Sequence, residues 1–180
     1  MKIVWEKKAA FGCEYFKLAD GVASGTVIYQ DGESYLVNYS IELEDWVTKR
    51  LTVRVDGGAS LELESDGRGR WFKEGEELAE LNGAIDPDIQ ATPFTNTLPI
   101  NRNSWEIGEE KEFQMVYVEV PSLQVRKAEQ RYTYLGEKDG RRVFQYQSGS
   151  FDAEVLVDGD GFVVEYPGLF GRRYSKGEYL

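Results

Sequence analysis

Apolar and polar residues alternate along most of this chain. In ESYLVNYSIELED, Tyr35, Val37, Tyr39, Ile41 and Leu43 fall on one face and Leu36, Asn38, Ser40 and Glu42 on the other. That is the period of two of a half-buried strand. The next segment, WVTKRLTVRVD, repeats it, with Val47, Leu51, Val53 and Val55 pointing one way and Trp46, Thr48, Arg50, Thr52 and Arg54 the other. The same reading predicts strands over 59–65, 70–73, 113–120, 124–135, 142–147, 151–158 and 162–166. Asp-Gly pairs at 20, 31, 56, 66, 139, 158 and 160 lie beside such segments, and this dipeptide favours two-residue hairpin turns because both residues accept positive φ. The helix candidates, 74–81 and 86–90, offer no more than about two turns each, which needs tertiary support to persist. The expectation is an all-β chain forming one domain over 1–180, a single strongly bent antiparallel sheet or barrel.

TPFTNTLPINRN, residues 92–103, breaks the pattern. It carries two prolines, three threonines, three asparagines and one charge, and lies in a stretch from 68 to 138 without any Asp-Gly pair. Pro93 and Pro99 cannot donate to a central ladder, and they push Thr92 and Leu98 towards extended geometry. This predicts a long irregular connection anchored by Phe94, Leu98 and Ile100, a kind of loop that in compact domains is usually functional or disordered. Three apolar anchors and two prolines favour order.

Composition narrows the function. With 180 residues and 41% hydrophobic content the chain can bury a substantial core without disulfides. A net charge of −11 repels phosphate backbones and anionic lipid surfaces, so nucleic acid is not an expected partner. No apolar run approaches the ~20 residues of a membrane span, and Glu6, Lys7 and Lys8 interrupt the start of MKIVWEKKAAFGCEYF before a signal-peptide core forms. The expected location is cytoplasmic, in agreement with the single Cys13. There is no histidine, which removes histidine-activated nucleophiles and histidine-ligated zinc, and no glycine-rich phosphate loop opens a helix.

For catalysis there remain paired carboxylates of the kind glycosidases use, with Asp86, Asp88 and Glu165 the candidates in apolar or proline-constrained context. DGDG at 158–161 lacks the remaining ligands of a calcium loop and reads as a hairpin turn. For binding, Trp46 beside Arg50, and Trp71 beside Arg70, combine an aromatic face with a planar hydrogen-bond donor. Gln130, Tyr132 and Tyr134 share a strand face, as ligand wall or as core.

Taken together, Asp45-Trp46 followed by Thr48 and Arg50, DGRGRW at 66–71, LNGAIDPDIQATPFTNTLPINR at 81–102, YVEVPSL at 117–123, QRYTY at 130–134 and VDGDGFVVEYPGLFGR at 157–172 resemble the bacterial putative glycolipid-binding family, formerly a domain of unknown function. The resemblance implies a barrel-like half-shell of many antiparallel strands, similar to exported bacterial carriers of lipoproteins and glycolipids, and brings no catalytic residue. Those carriers are exported, whereas no signal peptide is read here. The expectation is a non-enzymatic protein that holds an amphipathic ligand, a glycolipid or other lipid-like metabolite, without cofactor or metal. Trp46, Arg50, Trp71, Asn96, Arg102 and Tyr132 are the expected ligand contacts. The alternative is a carboxylate-dependent enzyme acting on a glycan or sugar-lipid.

Overall fold

The computed structural model describes residues 1–177, Asp31 by its backbone alone. The first half is a meander of β1 (Lys2–Lys7), β2 (Gly12–Ala19), β3 (Val22–Asp31), β4 (Glu33–Glu44), β5 (Val47–Val55), β6 (Ser60–Ser65), β7 (Trp71–Lys73) and β8 (Glu76–Glu77). After β9 (Asp86–Ile89) and the short helix α1 (Thr97–Arg102) comes a second meander, β10 (Glu110–Val118), β11 (Val125–Lys138), β12 (Arg141–Ser148), β13 (Phe151–Val157), β14 (Val163–Tyr166) and β15 (Phe170–Lys176). Among the described residues these strands form one sheet in the order β8-β7-β6-β5-β4-β3-β2-β1-β15-β14-β13-β12-β11-β10-β9. Every described pairing is antiparallel except β9 with β10. The all-β class is as expected, and the sheet is not closed.

A flat sheet of this width would measure about 65 Å at the usual strand spacing. Its two edge strands, β8 and β9, are nevertheless joined by residues 78–85 alone, a link that reaches at most ~30 Å. The sheet therefore turns back on itself. The link is stitched to the first edge by Trp71 Nε1 donating to the Ala84 carbonyl at 2.7 Å and Gly83 N donating to the Gly69 carbonyl at 2.9 Å.

Hairpin chemistry works as the dipeptides predict: Asp20 and Gly21, between the paired Ala19 and Val22, both take positive φ, 52° and 73°. DGDG also forms a turn, with Asp158 Oδ1 accepting from the backbone N–H groups of Asp160 and Phe162. Two helix candidates are corrected. Residues 74–81 hold β8 and a 3-10 turn at Ala79–Leu81. Residues 86–89 form β9, because the free edge of β10 offers backbone partners, and Pro87 is tolerated on an edge strand.

The segment 92–103 is not irregular. It forms a 3-10 turn, Phe94–Asn96, that runs into α1. Pro93 stands at the cap of that turn and Pro99 in the first turn of α1, where a backbone N–H has no helical partner to lose. The segment is buried inside the sheet and ties two cores together: Phe94 and Leu98 pack with Trp5, Phe16, Phe162 and the first meander, and Ile100 packs with Tyr132, Phe144 and the second. Phe94 lies 4.5 Å from the Phe16 ring and 6.3 Å from the Phe162 ring, centroid to centroid.

Entry to the segment is held by a buried polar cluster. Glu14 shares the inward face of β2 with Phe16 and Leu18 and is 1% exposed. Its Oε1 accepts from the hydroxyls of Tyr39 and Thr92, the latter at 2.9 Å, while Oε2 has no partner among the described residues. Gly25 makes the cluster possible, since a Cβ there would fall 2.2 Å from the Tyr39 ring. Burial raises the Glu14 pKa from 4.5 to about 8, against the lowering effect of the two hydroxyls.

Two predictions follow from this arrangement. Phe94→Ala, by opening a cavity between the cores, is expected to cost about 3–5 kcal/mol in urea unfolding. Glu14 holds a proton in the folded protein that the unfolded chain releases above pH 4.5, so its stabilising contribution is complete below that pH and is lost as pH rises towards 8. Relative to wild type, Glu14→Gln should gain about 1.4 kcal/mol per pH unit across that window. A difference that stays flat with pH would show that the carboxyl is already ionised.

Candidate ligand pocket

Where residues 88–96 meet the second meander, a cavity of about 300 Å3 opens to solvent. The strand period decides which side chains reach it. On β11, Arg126 and Ala128 line the cavity, on the same face as Gln130 and Tyr132 behind it; on β12, Tyr146 and Ser148 line it, one face with Phe144. Tyr117 arrives from β10, Phe151 from β13, Tyr166 from β14 and Phe170 from β15, while Asp88, Thr92 and Asn96 come from β9 and the buried segment.

Asp88 is the charged group of the cavity's inner end. Its Oδ2 accepts from Gln130 Nε2 at 2.6 Å and its Oδ1 from the Thr95 hydroxyl at 3.1 Å. A carboxylate offers about four acceptor positions, so these bonds orient Asp88 and leave it capacity for a ligand. Burial raises its pKa, and the bonds from Gln130 and Thr95 oppose the rise. Burial also raises the phenol pKa values of Tyr117, Tyr146 and Tyr166, with the Asp88 charge adding to the rise in each. These phenols stay neutral at pH 7 and face the cavity as donors. The Tyr166 hydroxyl has no hydrogen bond among the described residues.

The aromatic wall has a defined shape. The rings of Tyr146, Phe151 and Tyr166 lie 5.9–6.1 Å apart and are inclined to one another by 61–73°. At the mouth, the Arg126 guanidinium sits 4.4 Å from the Tyr117 ring centroid and makes no ion pair among the described residues. Beyond it, a polar groove of about 820 Å3 shares Arg126, Ala128, Ser148 and Phe151 with the cavity.

Of the residues expected to bind ligand, Asn96 and Tyr132 are brought to this site. Asn96 lines the cavity, its Oδ1 accepts from the Tyr132 hydroxyl at 2.8 Å, and its Nδ2 donates to the Pro93 carbonyl at 3.1 Å. Arg102 lies nearby but is half-buried against Asp86, with which it forms an ion pair. The other three stand apart. Trp71 is fully buried in the core of the first meander. Trp46 takes positive φ in the β4–β5 turn and packs edge-on against Phe162 at 6.1 Å. Arg50 is on the outer surface, where Glu62 and Glu64 pair with it at 3.2 and 3.0 Å. A register shift explains why the polar face of β5 does not hold: Glu42 pairs with Arg50 but Leu43 with Thr48, so Thr48 turns inward and is fully buried. Glu165, a candidate catalytic carboxylate, pairs with Lys8 away from the cavity lining.

Sequence reasoning singled out Asp88 but missed Arg126, Tyr146, Tyr166 and Phe151. A signal existed for Arg126, which by alternation shares a strand face with Gln130 and Tyr132. For the aromatic trio there was none, because three separate strands contribute one ring each.

Comparison with known proteins gives the chain a place. The family model described as "Putative glycolipid-binding" matches residues 2–172. The crystal structure of a DUF1089 family protein from Pseudomonas aeruginosa is similar, with 34% identity and a TM-score of 0.81 over 90% of this chain and 92% of that one; DUF1089 is the older name of the same family. No curated protein matches. By the extent of the family match and the agreement in fold, the chain belongs to the Putative glycolipid-binding family.

Proposed function

We propose that this protein binds an amphipathic, lipid-like ligand without transforming it, and that the ligand's polar head enters the cavity at Asp88. The observation that carries this reading is a half-buried carboxyl with spare acceptor capacity inside a cavity whose walls combine phenol and phenyl rings with a few polar side chains. Such a mixture, mostly apolar with a few placed polar groups, is the general character of small-molecule sites. A volume of about 300 Å3 suits a headgroup better than a long acyl chain, so the apolar part would leave over Phe151, Leu169 and Phe170 at the rim. A glycolipid, the ligand class in the family's description, meets these demands through ring stacking and hydroxyl donors to Asp88.

The carboxylate-enzyme alternative calls for two carboxyls about 5–10 Å apart on one cavity. Among the described lining residues Asp88 is the carboxyl present, and Asp86, two positions earlier on β9, is occupied by Arg102. Among the described residues no helix is long and apolar enough to cross a membrane, which fits a carrier or sensor of lipid better than an integral channel of helices.

Native mass spectrometry of protein purified gently from its own cells tests the reading. A bound mass of lipid size is expected, reduced or absent in Asp88→Asn. Protein that emerges without a bound mass, and shows no thermal shift with a panel of glycolipids and phospholipids, would refute it.

A further inference from the structure

The cavity carries opposite charges at its two ends, and they do not pair with each other. Asp88 lies at the inner end beside the aromatic trio, and Arg126 lies at the mouth on the Tyr117 ring. They are close enough for the Arg126 charge to act on Asp88, yet no ion pair joins them among the described residues. In a chain with 32 acidic residues against 21 basic ones, a guanidinium without a carboxylate partner beside a cavity is available to a ligand anion.

A neutral sugar would use the phenols and Asp88 but has no need of Arg126. The inner end also has a geometry that sugars do not require. The rings of Tyr146, Phe151 and Tyr166 pack edge to face on one another, forming an aromatic corner rather than one flat stacking platform. An ammonium group is attracted to the open face of an aromatic ring within about 6 Å of its centroid, and a carboxylate on the same cavity adds direct charge compensation. Arg126 at the mouth of the same cavity, whose planar donors match phosphate oxygens, is placed to take the phosphate of that headgroup.

We propose that the polar head this cavity selects is zwitterionic, a phosphoethanolamine- or phosphocholine-type group with its ammonium seated against the aromatic cluster of Tyr146, Phe151 and Tyr166 beside Asp88 and its phosphate on Arg126. The inference rests on the binding reading above and sharpens its ligand class. The polar groove beyond Arg126 lets a free headgroup or a lipid-linked one approach from the same side.

Calorimetric titration with three probes tests it: free phosphocholine, dodecylphosphocholine below its micelle concentration, and octyl glucoside as the neutral head. Arg126→Gln, at an exposed position, Asp88→Asn and Tyr166→Phe are titrated alongside wild type, with thermal melting to verify folding. At least one phosphocholine probe should bind wild type more tightly than octyl glucoside, and that binding should weaken about tenfold or more in Arg126→Gln and Asp88→Asn. Tyr166→Phe should change it by no more than about twofold, since the ring's electrostatic face is retained. Binding of free phosphocholine identifies a soluble headgroup as sufficient, and binding of dodecylphosphocholine alone identifies a lipid; either supports the proposal. If octyl glucoside binds, with loss in Tyr166→Phe, and the phosphocholine probes do not, the zwitterion inference is overturned while the binding reading stands. If none of the three binds, the zwitterion inference is overturned, and native mass spectrometry decides the binding reading separately.

Discussion

The structure depends on burying a polar segment of chain with a single charge inside a sheet. A helical turn rich in threonine and asparagine cannot enter an apolar interior unless its polar groups find partners there, because an unmet buried donor or acceptor costs about 1–3 kcal/mol. Residues 92–103 meet this condition largely with side chains. Thr92 bridges Glu14 and the Phe94 N–H, Thr95 reaches Asp88, and Asn96 links Pro93 to Tyr132. Asn103 and the Trp105 indole donate to the carbonyls of Pro99 and Ile100. Thr97 Oγ1 is left without a partner among the described residues. With the polar groups held in this way, Phe94, Leu98 and Ile100 can join two cores that belong mainly to different meanders of the sheet.

The cavity is a consequence of the same arrangement. Asp88 and Asn96 are held by the bonds that hold the segment, so the polar inner end of the cavity is fixed by the core rather than by mobile loops. The rings that face it come from β12, β13 and β14, strands tied into the continuous ladder. Preorganised groups of this kind lose little freedom when a ligand arrives, which favours affinity from few contacts. The likeness of fold to the Pseudomonas aeruginosa protein extends over nine-tenths of both chains.

Much of the sheet was legible because a period of two is a strong signal. Val37, Tyr39 and Ile41 are buried as the alternation of β4 requires. Glu14 was not singled out, although the alternation that buries Phe16 and Leu18 in β2 also turns it inward. Other features leave no periodic trace. The register shift opposite Leu43 reverses Thr48 without any change in residue pattern. β9 reads as a helical turn because its strand character comes from the vacant edge of β10, a neighbour distant in sequence. Pro93 and Pro99 suggested an extended crossing, whereas both occupy positions where a helix tolerates proline. The cavity was the least legible of all, being assembled from seven strands and the buried segment, each supplying one or two side chains.

Amide hydrogen exchange of the ligand-free protein, resolved by residue, measures the central claim most directly. If residues 94–102 are core that happens to wall a cavity, amides of α1 that donate hydrogen bonds should exchange as slowly as those of β2 and β11, within the slowest class of the protein. Exchange of that stretch within minutes, as for an exposed hairpin turn, would contradict the account.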